Sequence, residues 1–419
     1  VVVVLVAIGI FAGLRVTQPL PKPVPVATLT SSLAVRGSSP VLPWPVVGQG
    51  AVSVPALGYA RQSGPETSVP IASLTKMTTA VVILRNHPLP GNSSGPKITI
   101  TPADAAQFDI DLDNDESNIP IQAGEVLTER QMLEAMMNQS ANDIAYTLAV
   151  WDAGSLPAFV AKMNSLAASL GATHSHYVDA SGYDPQSVSS ASDTLLIAAA
   201  GMRIPAFAQI VSLPTVSLPL VGTVSNIVTQ IGSNGVVGIK SGYTSEAHAC
   251  MVLATYRVIH GRSILVLASV LGQYATVPPA PKPGSKAPPV TTPAPTPLEL
   301  QYPLRYAGPL VENLLDVAKA AVVAVPLVAN GQQLATVGAA WGGTSHRVAV
   351  TATQSAWLAG WPGQRVTSAV RFTMIPAGAR KGTPAGHALY ALGQQIESVP
   401  LTTTAQLSEP TWQWRLLHG

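Results

Sequence analysis

The sequence predicts an α+β domain followed by a smaller all-β domain, and three observations carry that prediction. Strand-like apolar runs lie at both ends of residues 47–275, with helical periodicity between them. A proline-dense run at 277–297, VPPAPKPGSKAPPVTTPAPTP, cannot enter a core and reads as a stiff linker over 276–299. Beyond it, residues 300–419 alternate short apolar runs with glycine turns, the pattern of a sandwich or barrel.

In chain order, Ala51 to Arg61 predicts short strands, and Ser73 to Arg85 a helix ended by His87-Pro88. Thr128 to Gln139 predicts a stronger helix. Thr128 and Gln131 form a capping box, and Leu133, Met136 and Met137 make the apolar stripe. Further helices are expected from Asn142 to Val150, from Pro157 to Leu170 with Gly171 as its stop, and from Ser192 to Arg203 before Pro205. Val236 to Ile239, Ala249 to Ile259 and Arg262 to Gly272 read as strands, the last two joined by a His260-Gly261 turn. In the smaller domain the runs VAVPLVANGQQLATVG, HRVAVTATQ, VTSAVRFTMI and HALYALGQQIESVPL carry the β signal, with no catalytic constellation among them.

The chain opens on VVVVLVAIGIFAGL, followed by Arg15 and the proline-rich QPLPKPVPV. Fourteen residues at ~1.5 Å rise cover about 21 Å, short of a ~30 Å hydrocarbon core, so a few upstream residues would complete a span. Residues 1–46 are therefore expected to be a membrane anchor or signal segment plus a stalk, with the remainder exported. No internal apolar run reaches the ~18 residues of a second span. The 23 basic and 21 acidic residues leave a net charge of +2, which gives no footprint for nucleic acid. Only 11% of residues are charged against 47% hydrophobic, which excludes a disordered chain. The single cysteine, Cys250, excludes a disulfide framework and is expected to be inert core.

Three short motifs carry chemistry. In Ser73-Leu74-Thr75-Lys76 the hydroxyl and the amine fall on one helical face, where the amine can serve as base once neutral. Lowering a lysine from ~10.4 to about 7 takes roughly 4–5 kcal/mol, through burial and a second nearby cation. In Ser140-Ala141-Asn142, at a join between helices, a hydroxyl can relay a proton and an amide can hold a carbonyl, although both residues also suit a helix N-cap. In Lys240-Ser241-Gly242 the lysine offers the second cation, the serine a donor for a carboxylate, and Gly242 room for a substrate strand.

In order and spacing, 67 residues from Ser73 to Ser140 and 100 from Ser140 to Lys240, the three resemble the penicillin-binding and serine β-lactamase superfamily. The flanking segments VPIASLTKMTTAVVIL, MLEAMMNQSANDIAYTLA, MNSLAASLGATHSHYVDASGYD, SASDTLLIAA and VVGIKSGYTSEAHACMVLAT narrow the resemblance to low-molecular-mass D-alanyl-D-alanine carboxypeptidases of the S11 type. The resemblance implies a transpeptidase-like domain, an antiparallel sheet with a helical subdomain, over 47–275. It implies Ser73 as nucleophile, Lys76 as base, and Ser140 and Lys240 completing the proton network. Asn142, Ser241, Gly242 and Thr244 would hold the substrate, with the backbone N–H groups of Ser73 and Tyr243 as oxyanion hole. Peptidoglycan stem peptides ending in D-Ala-D-Ala are the implied substrates, β-lactams the implied inhibitors, and the outer face of the membrane or the wall the implied location, with no cofactor or metal. β-Lactamase, DD-endopeptidase and a non-catalytic binder are the alternatives on this fold. A class A β-lactamase would carry E-x-x-L-N after Ser140-Ala141-Asn142, whereas Glu134 to Asn138 precedes it. Two departures stand out: Ser241 replaces the usual threonine, and Leu271-Gly272-Gln273 lacks the arginine that many relatives carry there.

Other patterns read as structural. Gly91 to Gly95 mimics a nucleophile elbow but sits in a loop without strand or helix. Asp109, Asp111, Asp113 and Asp115 mimic an EF-hand start, yet Asn114 and Pro120 stand where glycine and glutamate are needed, so a solvated acidic loop is expected. His174 and His176 could share a strand face near Asp179 but lack an evident third ligand and read as surface polar groups.

Overall fold

The computed structural model describes residues 2–64, 66–274, 303–339, 341 and 347–418. The expected linker over 276–299 lies outside the described residues. The chain divides into two compact units, residues 40–321 and residues 1–39 with 322–419.

In the larger unit a five-stranded antiparallel sheet runs in the order Val236–Thr244, His248–Ile259, Arg262–Gln273, Gln49–Val54, Tyr59–Gln62. Apolar side chains fill the middle strands on both faces, so the sheet is buried between layers. Helices Thr75–Asn86, Glu129–Asn138, Asn142–Ala153, Leu156–Ser169 and Ala191–Met202 share one core with it through Leu74, Met77, Met132, Met136, Leu148 and Phe159. This is the α+β layout expected from strands at both ends of the segment.

Local chemistry accounts for the helix boundaries. Thr128 accepts from Gln131 N while the Gln131 side chain accepts from Thr128 N, the predicted capping box. Pro205 both follows one helix and opens the next, Pro205–Val211, at a position where its missing N–H costs nothing.

Two domain expectations need correction. Residues 303–321 form a helix, Pro303–Ala321, that packs on strands His248–Ile259 and Arg262–Gln273 of the larger unit. Its buried Ala307, Val311, Leu314, Leu315 and Ala318 repeat at helical spacing, a signal separate from the alternation that starts at Val323. The expected stalk also differs: Val24–Ala27 and Ser32–Ala34 are strands pairing with Gln333–Gly338 and Arg365–Phe372. They form the two edges of a seven-stranded sheet in the smaller unit, and an edge is where a strand containing Pro25 is tolerated. The sheet encloses its own core around Val337, Val350, Tyr390, Val399 and Leu401. The opening apolar run is a helix, Val2–Thr17, and among the described residues no single helix is long and apolar enough to cross a membrane.

The acidic segment is also not a loop. Pro102–Asp113 is a helix opened by a Thr101/Asp104 capping box, which places Asp109, Asp111 and Asp113 on helical turns and removes the EF-hand geometry.

Candidate active site

Ser73 lies in a tight helical turn, Ala72–Leu74, leading into helix Thr75–Asn86. That placement sets Lys76 Nζ 2.8 Å from Ser73 Oγ. The amine also donates to Asn142 Oδ1 (2.5 Å) and to the Ser181 carbonyl (3.0 Å). Lys76 is fully buried, and burial lowers its pKa to about 7 against the opposing pull of Asp179, Glu116, Asp143 and Asp111. A neutral amine has two N–H bonds, enough for Asn142 and Ser181, which leaves its lone pair for the Ser73 hydroxyl.

Lys240 and Gly242 come from the edge strand Val236–Thr244. Lys240 is also fully buried, and its amine donates to the Ser241 carbonyl at 2.8 Å. Burial, and then the charge of Lys76, push its pKa well down. The expected division of labour, with Lys240 as the cation that lowers Lys76, therefore changes: desolvation is the main cause for both amines. Gly242 faces the nucleophile so closely that a Cβ there would lie 2.7 Å from Ser73 N.

Ser140 and Asn142 sit at the join between helices Glu129–Asn138 and Asn142–Ala153, with Ser140 in the left-handed region at φ 62°. Asn142 N donates to the Ser117 carbonyl (2.7 Å), which ties this join to the loop after the acidic helix. Ser140 is buried beside Asn142, and no hydrogen bond joins its hydroxyl to either lysine among the described residues. The Ser241 hydroxyl is buried and has no partner among the described residues, so it does not line the cleft in this state. Tyr243 and Thr244 do line it, opposite Glu116, Asn142 and Tyr183, in a cleft of about 500 Å³ that opens on Ser73. Among the described residues no arginine or lysine lines the cleft wall, in keeping with the missing arginine near Gln273, whose side chain turns inward to the Val47 and Leu271 carbonyls.

The model of the Peptidase S11 family, D-alanyl-D-alanine carboxypeptidase, matches residues 60–272, just over half of the chain. The chain belongs to this family. A D-alanyl-D-alanine carboxypeptidase of Mycobacterium tuberculosis is 37% identical over 161 residues, 37% of this chain and 54% of that protein. A D-alanyl-D-alanine endopeptidase of Escherichia coli is 28% identical over 220 residues, 50% of this chain and 66% of that protein. The match thus spans little more than half of the mycobacterial relative. The solved penicillin binding protein 5 from Haemophilus influenzae superposes with a TM-score of 0.56 at 19% identity, over 89% of this chain and all of that one, and speaks for the fold alone.

Motif reading of this S11 chain missed several groups that hold the site. Asp179, almost fully buried, accepts from the Ser181 and Ser187 hydroxyls and from the Gly182 and Tyr183 N–H groups. It thereby shapes the loop whose Ser181 carbonyl meets Lys76, so it is not a metal partner for His174 and His176. Glu116 Oε2 accepts from Asn142 Nδ2 at 2.5 Å, which orients the amide so that Oδ1 faces Lys76. The only sequence signals were DASGYD at 179–184, inside a family-like segment, and the acidic run itself.

Glu116 is thus a positioning residue. Glu116→Ala is expected to lower kcat/KM by about 10–100-fold, the range of a lost charge-assisted hydrogen bond. Glu116→Gln keeps an acceptor for the amide and should recover most of that loss. Because the Glu116 charge raises the Lys76 pKa, both variants should also move the acid limb of kcat/KM to lower pH. Unchanged pH profiles in both would refute this role.

Proposed function

We propose that the protein is a serine D-Ala-D-Ala carboxypeptidase that removes the terminal D-alanine of peptidoglycan stem peptides. The observation that carries this reading is the contact of a buried, pKa-lowered Lys76 with Ser73 Oγ at 2.8 Å, inside a family match over 60–272. In this mechanism the Lys76 lone pair takes the Ser73 proton as Oγ attacks the carbonyl between the two D-alanines. The Ser73 and Tyr243 N–H groups hold the oxyanion, each such donor being worth about 2.7–4 kcal/mol. The proton then passes to the departing D-alanine nitrogen, with Ser140 and Lys240 completing the relay. Water then attacks the acyl-enzyme carbonyl as Lys76 takes its proton, the Ser73 Oγ–C bond breaks, and Lys76 passes that proton to Oγ, which restores the free hydroxyl and the neutral amine. Asn142, Gly242 and Thr244 align the peptide as an added strand, and Ser241 joins them by turning its hydroxyl into the cleft. β-Lactams acylate the same serine. Action outside the cytoplasm, with the opening helix Val2–Thr17 as anchor or leader, fits this substrate.

The test is D-alanine release from a synthetic N-acylated L-Lys-D-Ala-D-Ala peptide by wild type and Ser73→Ala. Release that disappears in the variant supports both reaction and nucleophile. Wild type that releases nothing, yet is labelled at Ser73 by a fluorescent penicillin, sinks the substrate assignment. A second reading, DD-endopeptidase on cross-linked peptides, draws on the 28% identical relative of that name, and cleavage of a cross-linked dimer in preference to the pentapeptide would favour it.

A further inference from the structure

Three side chains from separate segments converge at a second cleft, of about 300 Å³. Glu66 precedes the short strand Val69–Pro70, His174 follows helix Leu156–Ser169, and Asp193 lies in the first turn of helix Ala191–Met202. One potential ligand atom from each lies within 4.8 Å of the other two, and His174 Nδ1 stands 3.9 Å from Glu66 Oε1. We propose that Glu66, His174 and Asp193 form a divalent-cation site of the zinc type, which fastens the ribbon leading to Ser73.

The donor set fits such an ion. One imidazole nitrogen with two carboxylates suits Zn²⁺ or a similar borderline cation, with a fourth position left to water. Metal–ligand bonds of about 2.0–2.2 Å in tetrahedral geometry bring donor atoms to roughly 3.4 Å from one another, so the cluster must close by about 1 Å. Glu66 and His174 are free to make that adjustment, with side chains 27% and 36% exposed.

Asp193 is the fixed member. It is 3% exposed, and its Oδ2 accepts from His174 N (2.7 Å) and Ser175 Oγ (3.0 Å). It stands three residues after the helix N-cap Ser190, yet its carboxylate turns toward His174 instead of back to the cap. Ser190 Oγ meanwhile accepts from Asp193 N and donates to Glu66 Oε1 (2.8 Å). The hydroxyl therefore supports the Glu66 carboxylate, as outer partners of ligating carboxylates do, while it caps the helix at the Asp193 backbone.

The cleft is far from the nucleophile in sheet order, against Gln49–Val54 and Tyr59–Gln62 at the edge opposite Val236–Thr244. It is nevertheless connected to it. Val69–Pro70 pairs with Val188–Ser189, one strand preceding Ser73 and the other preceding Ser190 and Asp193. Glu66 and Asp193 thus belong to the two sides of one ribbon, and an ion between them would hold the sides together.

The experiment uses the full chain, stripped with a chelator and then titrated with Zn²⁺ by calorimetry and with Co²⁺ by visible absorption. One equivalent should bind, with a nitrogen-ligated Co²⁺ spectrum and a higher Tm. Glu66→Gln and His174→Gln should each weaken binding at least about 10-fold, and the double variant should abolish it. His176→Gln and Asp113→Asn should leave it unchanged. Metal-free forms of all five variants should still react with penicillin, which separates this test from that of the activity. Absence of saturable binding, or binding that survives the double variant, would overturn the proposal.

Discussion

Lys76→Met is expected to slow acylation by both peptide and penicillin by about 10²–10⁴-fold, the usual contribution of a positioned general base. Methionine nearly matches the volume of the lysine stem and leaves no charge in a fully buried position, so the fold should survive. The cost to stability is limited to the Asn142 Oδ1 and Ser181 carbonyl acceptors, which lose their donor. Lys76→Arg should not rescue the rate, because guanidinium keeps its proton at any accessible pH. The pH profile supplies the second arm. The lysine pKa is lowered from 10.5 to about 7, so the amine is increasingly neutral above pH 7 and increasingly protonated below it. In wild type, kcat/KM should therefore rise with pH through an acid limb centred near 7 and flatten above it. Stopped-flow acylation across pH 5–9 reads both arms, and an arginine variant at the wild-type rate would eliminate Lys76 as the base.

The reasons some of this site was legible in the sequence, and some was not, are physical. Ser73, Lys76, Ser140, Asn142 and Lys240 announce themselves because local geometry dictates their spacing: i to i+3 on a helix, two residues across a join, the end of a strand. Glu116 and Asp179 act through hydrogen bonds that span 26 residues and the turns of a closed loop, and no periodicity encodes those. The acidic helix is a different case. Thr101, Pro102 and Asp104 are a helix start written in the chain, whereas the row of aspartates that follows has by itself the polarity of a solvated loop. Helix Pro303–Ala321 was equally legible, through its buried Val311, Leu314, Leu315 and Ala318. The strands Val24–Ala27 and Ser32–Ala34 were not, since three or four residues become a strand only when a partner edge is present. The same holds for Glu66, whose proximity to His174 and Asp193 exists only in the folded chain.

Gly242→Ala should cost about 10²–10³-fold in acylation, comparable to removing one oxyanion donor, with the overall fold retained. An added Cβ would lie 2.7 Å from Ser73 N, 3.1 Å from Ala72 Cβ and 3.2 Å from Leu74 N. Two of those three atoms are backbone, so the clash cannot be relieved by a side-chain rotation. Nor can the nucleophile turn retreat. Gly182 presses on it from the opposite loop, where a Cβ would fall 1.9 Å from the Ala72 carbonyl oxygen, and Ala72 already holds φ at 48°. The turn is gripped between two glycines, and the part that must yield is the strand Val236–Thr244. Moving it away from Ser73 separates the Ser73 and Tyr243 N–H groups and breaks the spacing on which the proposed oxyanion site depends. It also carries Lys240 away from Lys76 on the same strand. A fluorescent-penicillin time course beside a thermal melt distinguishes this from unfolding: the expected variant melts cooperatively but labels slowly. A Gly242→Ala protein that labels at the wild-type rate would mean that the strand has slack, and that the close approach of Gly242 to Ser73 does not set the oxyanion geometry.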